Sequence, residues 1–334
     1  MINTLNQWLD TLDNHRSNET NNNNRTEELL SAFSGSILLL MVDERMESLF
    51  QKLIEGCNYQ QLNSIVGEVF SQSELLIRIA FCRQGSISIV KLIKRIKKTE
   101  HAFALTRILS TKFYAMVTHQ TARIVIQQCF NLLGNRPNEV LYESTIYFFG
   151  CMATHEVGCI SLNECIDTIS GIQRLRLLFY IANIADYLSN DPYGNYVVQH
   201  VLDLKDDYIN SRIYLCLKGQ FIPLAQKKGG SHVVEKCLKS SILGLCSVVL
   251  EILSDPSLPF LLARDQFGNY VIQRALEECK ERGFMVIYVY LVKALEPYYE
   301  ELSYSVGGRH VINLLKDEFT LQRQSSINGQ MRNV

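Results

Sequence analysis

The chain has 334 residues, 47% of them hydrophobic, enough to bury a core as two globular domains or one long repeat array. A formal net charge of -1 excludes a uniformly basic nucleic-acid carrier, so any contact with phosphates must come from a local surface. Ten cysteines without a CxxC pair, no basic-then-apolar leader and no apolar run longer than residues 284–292 argue against a disulfide scaffold, a secreted chain and a membrane span.

Residues 1–28 are polar and Asn-rich, with Asn21 to Asn24 in a row. They hold too little apolar surface to offset the entropy of ordering, which predicts a largely disordered tail. Residues 29–321 read as helix throughout. Apolar side chains recur at helical spacing, as in Leu49/Leu53, Ile89/Leu92/Ile93 and Val248/Val249/Ile252. Alternating strand patterns are nearly absent, and the six prolines fall where helix ends are expected. Residues 322–334 form a polar C-terminal tail. The cysteines sit mostly in apolar runs and read as reduced core residues of an intracellular protein. The set His155, Cys159 and Cys165 fits no closed zinc pattern, and no metal or cofactor is implied.

Within 29–321 one short pattern returns eight times. Its first positions are Glu47, Ser86, Arg123, Cys159, Asn195, Ser231, Asn269 and Arg309, separated by 39, 37, 36, 36, 36, 38 and 40 residues. A near-constant period in this range means stacked helical units, each burying its apolar face on its neighbours. The last units are the clearest: Gly194-Asn195-Tyr196-Val197-Val198-Gln199, Gly230-Ser231-His232-Val233-Val234-Glu235 and Gly268-Asn269-Tyr270-Val271-Ile272-Gln273. A fainter copy, Gly307-Gly308-Arg309-His310-Val311-Ile312, ends the array.

On a helix, the first and fifth residues of each copy share a face and the second lies beside them. The pattern predicts an exposed ridge of polar residue, flat ring and polar residue, with the two valines turned into the core. Such a ladder suits nucleobases. The amides of Asn195/Gln199 and Asn269/Gln273 match the acceptor–donor–acceptor edge of uracil. The Glu235 carboxylate accepts only, so with Ser231 assisting it suits the two adjacent donors of guanine. Tyr196, His232 and Tyr270 can stack between bases, and His310 on the outermost one.

These residues resemble the Pumilio (PUF) family of RNA-binding repeat proteins, of which the chain looks like a divergent, plant-type member. GNYVVQ, SHVVEKC and GNYVIQ resemble that family's sixth, seventh and eighth repeats, and GGRHVI its terminal capping unit. The resemblance implies an all-α, crescent-shaped, right-handed superhelix of three-helix repeats, with no catalytic residues and no enzyme activity. It implies single-stranded RNA running antiparallel to the protein, so that Asn269/Gln273 take the 5' U, Ser231/Glu235 the G and Asn195/Gln199 the next U. It also implies a cytoplasmic monomer that acts on mRNA 3' untranslated regions to repress translation or promote decay, with protein co-regulators and no membrane.

The four earlier copies depart from this pattern. Their ring positions hold Ser48, Ile87, Ile124 and Ile160, and their polar pairs are Glu47/Gln51, Ser86/Val90, Arg123/Gln127 and Cys159/Asn163. Arg123, Gln127, Cys159 and Asn163 remain weaker RNA-binding candidates. The competing expectation is a protein-interaction scaffold that has lost strong RNA binding, and the salt dependence of RNA affinity separates the two.

Overall fold

The computed structural model describes residues 19–316, with side chains from residue 26 onward. Among the described residues there is no strand, and the helices fall into two units, 19–152 with 156–174 and 153–155 with 175–316.

In the first unit, α1 (Glu19–Phe33) precedes a short α2 (Ile37–Val42), α3 (Glu47–Gly56) and α4 (Tyr59–Ser71). The second repeat is α5 (Ser73–Ala80), α6 (Arg83–Ile96) and α7 (His101–Ser110). The third is α8 (Phe113–Val117), α9 (Arg123–Leu132) and α10 (Asn135–Ala153). The nineteen-residue α10 runs on to the fourth repeat's α11 (Gly158–Thr168) and α12 (Gly171–Asn183). The second unit repeats the scheme with α13 (Ala185–Asn190), α14 (Gly194–Asp203) and α15 (Asp207–Leu217). There follow α16 (Phe221–Ala225), α17 (Lys228–Ser240) and α18 (Ile242–Ile252), then α19 (Leu258–Arg264), α20 (Gly268–Glu281) and α21 (Met285–Leu295). A short α22 (Tyr299–Tyr304) leads into a last helix that reaches residue 316.

Each repeat is thus a short helix, a ladder helix carrying the pattern, and an outer helix. The ladder helices bury a broad stripe, Val197, Val198, Val201 and Leu202 in α14 and Val233, Val234, Cys237 and Leu238 in α17, each 0% exposed. Within the second unit α17 packs between α14 and α20. The glycine before each first position permits this packing. A Cβ on Gly194, Gly230 or Gly268 would lie 2.7, 2.5 and 2.8 Å from the carbonyl oxygens of Leu188, Leu224 and Leu262, on the short helix of the same repeat. Only glycine lets the two backbones approach so closely.

Two further devices recur. Outer helices return a glutamate to the start of their own repeat. Glu68 accepts from the amides of Gly35 and Ile37, both at 2.9 Å, and Glu251 from Gly219 at 2.7 Å and Ile222 at 3.2 Å. Gly35 and Gly219 have positive φ (81° and 80°), so the chain turns there into a short helix whose first N–H groups would otherwise lack partners. Buried asparagines close the ladder helices: Asn138 Nδ2 donates to the Cys129 and Leu133 carbonyls, and Asn210 Nδ2 to the Leu202 carbonyl.

Two expectations are refined. The segment predicted to be unstructured to residue 28 contains the start of α1, whose Thr26 and Leu29 are buried and which packs on α3 and α4. Residues 1–18 and 317–334 lie outside the described residues. The cysteines are all free thiols, but only Cys57, Cys129, Cys159, Cys165, Cys237 and Cys279 are buried, while Cys82 and Cys151 are exposed. Burial pushes the Cys129, Cys165 and Cys237 thiols far up, and that of Cys279 up to about 11, so these four stay protonated and unreactive.

Candidate nucleic-acid interface

The ladder is best formed in the second unit. Before α14 the Asp191 side chain accepts from the amides of Tyr193 and Gly194 at 2.8 and 2.7 Å. Asp265 does the same for Phe267 and Gly268, at 2.9 and 2.8 Å. These turns present the first-position asparagines to their own preceding backbone. Asn195 Nδ2 donates to the carbonyls of Asp191 and Pro192, both at 2.9 Å, and Asn269 Nδ2 to that of Asp265 at 2.7 Å. The fifth-position glutamines then bond to the asparagines: Gln199 Nε2 to Asn195 Oδ1 at 3.0 Å, and Gln273 Nε2 to Asn269 Oδ1 at 2.9 Å.

This wiring corrects the expected ridge. The first-position side chains are not exposed, since Asn195, Ser231 and Asn269 are 3%, 2% and 3% accessible. Their amides and hydroxyl are drawn inward by backbone carbonyls, which a helical wheel does not display. Ser231 donates to the Lys228 carbonyl at 3.2 Å, so its proton is directed away from Glu235. The ring positions are open as expected: Tyr196 is 58% exposed, Tyr270 50%, and His232 and His310 are exposed too. Gln199, Glu235 and Gln273 are half-buried beside them. His232 Nδ1 stands 3.5 Å from Glu235 Oε1.

The arrangement therefore offers three fifth-position groups in register, amide, carboxylate and amide, each next to an open ring. Each glutamine Nε2 is held by its asparagine, that of Gln199 by Asn195 Oδ1 and that of Gln273 by both Asn269 Oδ1 and, at 3.2 Å, the Asn269 carbonyl, which fixes the amide plane. The Oε1 of each amide suits uracil N3–H, and the remaining N–H of Gln199 suits an adjacent carbonyl. The carboxylate matches the two donors of guanine.

The first unit differs. The weaker candidate Arg123 is engaged by the next repeat, its Nη1 donating to both Glu164 oxygens at 2.7 and 2.9 Å. Glu47 is tied in the same register by Lys91 Nζ at 2.8 Å. In both pairs a first-position charge meets the residue five after the next repeat's first position. Cys159 is buried, with its thiol donating to the Glu156 carbonyl at 3.3 Å, and Gln127 and Asn163 are half-buried. Sequence reasoning missed these ion pairs, because their partners lie 44 and 41 residues apart and only the stacking brings them together.

Comparison with known proteins bears on this geometry. The Pumilio-family RNA binding repeat matches at residues 49–70, 112–135, 149–181, 187–209, 220–241 and 260–287. The chain is 33% identical over 262 residues to putative pumilio homolog 8, chloroplastic, of Arabidopsis thaliana, covering 78% of this chain and 50% of that protein. It is 32% identical over 252 residues to pumilio homolog 9 of the same plant, covering 75% of this chain and 44% of that protein, so the chain spans about half the length of these relatives. With putative pumilio homolog 19 of Arabidopsis thaliana it shares 33% identity over 285 residues, 85% of each. Among solved structures it resembles the Puf4 RNA binding domain bound to the HO endonuclease RNA 3' UTR recognition sequence. The TM-score is 0.80 at 25% identity, over 94% of this chain and 95% of that one. A likeness to PUF-8 in complex with PBE-RNA (TM-score 0.73, 17% identity, 94% of this chain and 89% of that one) concerns the fold alone.

Proposed function

The chain belongs to the Pumilio family of RNA-binding repeat proteins, and on that premise we propose that its second unit binds single-stranded RNA sequence-specifically at a 5'-UGU element. With the RNA antiparallel to the protein, Gln273 takes the first U, Glu235 the G and Gln199 the second U. Asn269 and Asn195 fix the two amides. Tyr270, His232 and Tyr196 stack between the bases, each contact worth about 1–3 kcal/mol by alanine substitution, and His310 covers the outermost base. The carrying observation is the repeated Asn–Gln bond of α14 and α20, with a carboxylate at the same position of α17 between them. The family is one of RNA-binding proteins rather than enzymes. The proposed setting is an mRNA 3' untranslated region in the cytoplasm, with a monomeric chain repressing translation or promoting decay through recruited co-regulators.

Fluorescence anisotropy with a short RNA containing UGU, beside the same RNA carrying ACA, tests the reading. A loss of about 10-fold or more on the second RNA supports it, because wrong bases leave polar groups unpaired. Equal affinity for both, or none, sinks it and favours a protein-interaction scaffold. That second reading has one observation behind it, an apolar groove between the outer helices α15 and α18 where Leu215, Leu243 and Leu250 are exposed.

A further inference from the structure

We propose that Gly229 and Gly307 are positioning residues for base selectivity: each makes room, from the following repeat, for the asparagine that orients a base-reading glutamine. The inference rests on the reading of Gln199 and Gln273 as uracil-recognising groups and extends it to residues outside the pattern itself.

The observation is a contact between repeats. A Cβ built on Gly229 would lie 2.8 Å from Asn195 Nδ2, 2.9 Å from its Cγ and 3.3 Å from its Oδ1. A Cβ on Gly307 would lie 3.0 Å from the Cβ, Cγ and Nδ2 of Asn269. Both glycines stand two residues before the first position of their own repeat. The same place in the third repeat is Thr121, whose carbonyl accepts from Ser86 Oγ, the first-position residue of the repeat before it, at 3.5 Å. The residue at minus two therefore rests on the preceding repeat's first-position side chain in both units.

Size follows that contact where the first position is asparagine or serine, whereas the longer Glu47 and Arg123, engaged by Lys91 and Glu164, precede Gln84 and Val157. Where the preceding first position is asparagine, minus two is glycine, at Gly229 and Gly307. Where the preceding first position is serine, Ser86 or Ser231, minus two is Thr121 or Phe267. A small first-position side chain leaves room for a larger neighbour, and an asparagine does not. The amide of Asn195 already holds three hydrogen bonds, two to backbone carbonyls and one from Gln199. It cannot swing away from a new methyl group without releasing at least one of them. The amide that orients the base-reading glutamine is thus held by its own repeat and bounded by the next one.

Neither glycine has positive φ, so alanine fits the backbone. The atoms an alanine at 229 would meet are the end of a side chain, so the fold can yield where the asparagine moves. Gly230 is the contrasting neighbour, because its Cβ would meet the Leu224 backbone.

The test measures, by anisotropy, affinity for a UGU-containing RNA and for RNAs in which the first U, the G or the second U is replaced singly, using the whole chain and its Gly229→Ala and Gly307→Ala variants. The expected result is a loss of selectivity confined to one base. Gly229→Ala lowers the preference for U over C at the second U by about fivefold, the size of one hydrogen bond, and leaves the ratios at the first U and the G unchanged. Gly307→Ala does the same at the first U alone. In an Asn195→Ser background, Gly229→Ala has no further effect, since the crowded group is gone. An equal loss at all three bases, or unchanged ratios in the variants of a selective wild-type chain, overturns the inference and leaves the base reading intact. A wild-type chain with no preference at any base overturns both.

Discussion

At Glu235 a single oxygen-for-nitrogen exchange separates two base preferences. The carboxylate only accepts, which suits guanine's adjacent donors, whereas an amide both donates and accepts, which suits adenine N1 and its exocyclic amine. Glu235→Gln is expected to move the preference at that base from G toward A in a competition assay, and an unchanged preference for G would sink base reading by α17. The bond between Asn195 and Gln199 yields a second expectation. Asn195→Ala frees the Gln199 amide plane, so it should cost nearly as much selectivity at the second U as Gln199→Ala, about 1 kcal/mol each. The double variant should lose little more than either, and simple additivity would show the two acting separately. The residues proposed to carry this chemistry stand out in the sequence, because a pattern repeated in phase singles them out. That the first-position side chains are buried was not legible, since carbonyls of the preceding turn claim them and no helical spacing encodes that turn.

Helix by helix, the fold depends on contacts that tie the ends of elements together. Glu251 reaches from α18 to the first amides of its own repeat. Glu251→Ala should destabilise the protein by about 1 kcal/mol, as loss of a helix cap does, read as a lower thermal midpoint. Because the link sits on the outer side of the repeat, RNA selectivity should not change with it. Gly230→Ala should weaken the protein more, since the new Cβ meets the Leu224 backbone at 2.5 Å and either α16 or α17 must shift. The helices themselves could be read from apolar spacing, and the three-helix repeat from family resemblance. The start of α1 could not, because Asn21 to Asn24 carry no helical signal of their own and the contacts that hold the helix come from Thr26 and Leu29 further along.

Taken as a whole, the chain carries no net positive charge to draw in a phosphate backbone. Its net charge is -1, and four cations on the ladder helices have carboxylate partners: Lys236 with Asp203, Arg274 with Glu277, Lys91 with Glu47 and Arg123 with Glu164. These ion pairs are at least partly solvated and individually weak. A phosphate can compete for such a cation, but the carboxylate left behind offsets much of the gain. On the proposed reading, affinity is expected to come mainly from stacking and base edges, with about two or three phosphates neutralised. For a single strand, each neutralised phosphate contributes about -0.7 to the slope of log affinity against log salt. The expected slope for a UGU-containing RNA is therefore about -1.4 to -2.1. Asp203→Asn and Glu277→Gln, which release Lys236 and Arg274, should steepen it and raise affinity at low salt for UGU and ACA sequences alike, because phosphate contacts carry no base information. A slope steeper than about -4 in the unaltered chain would mean that a basic surface away from the ladder dominates binding. No salt dependence at all would mean that the ladder meets bases without engaging the backbone that carries them.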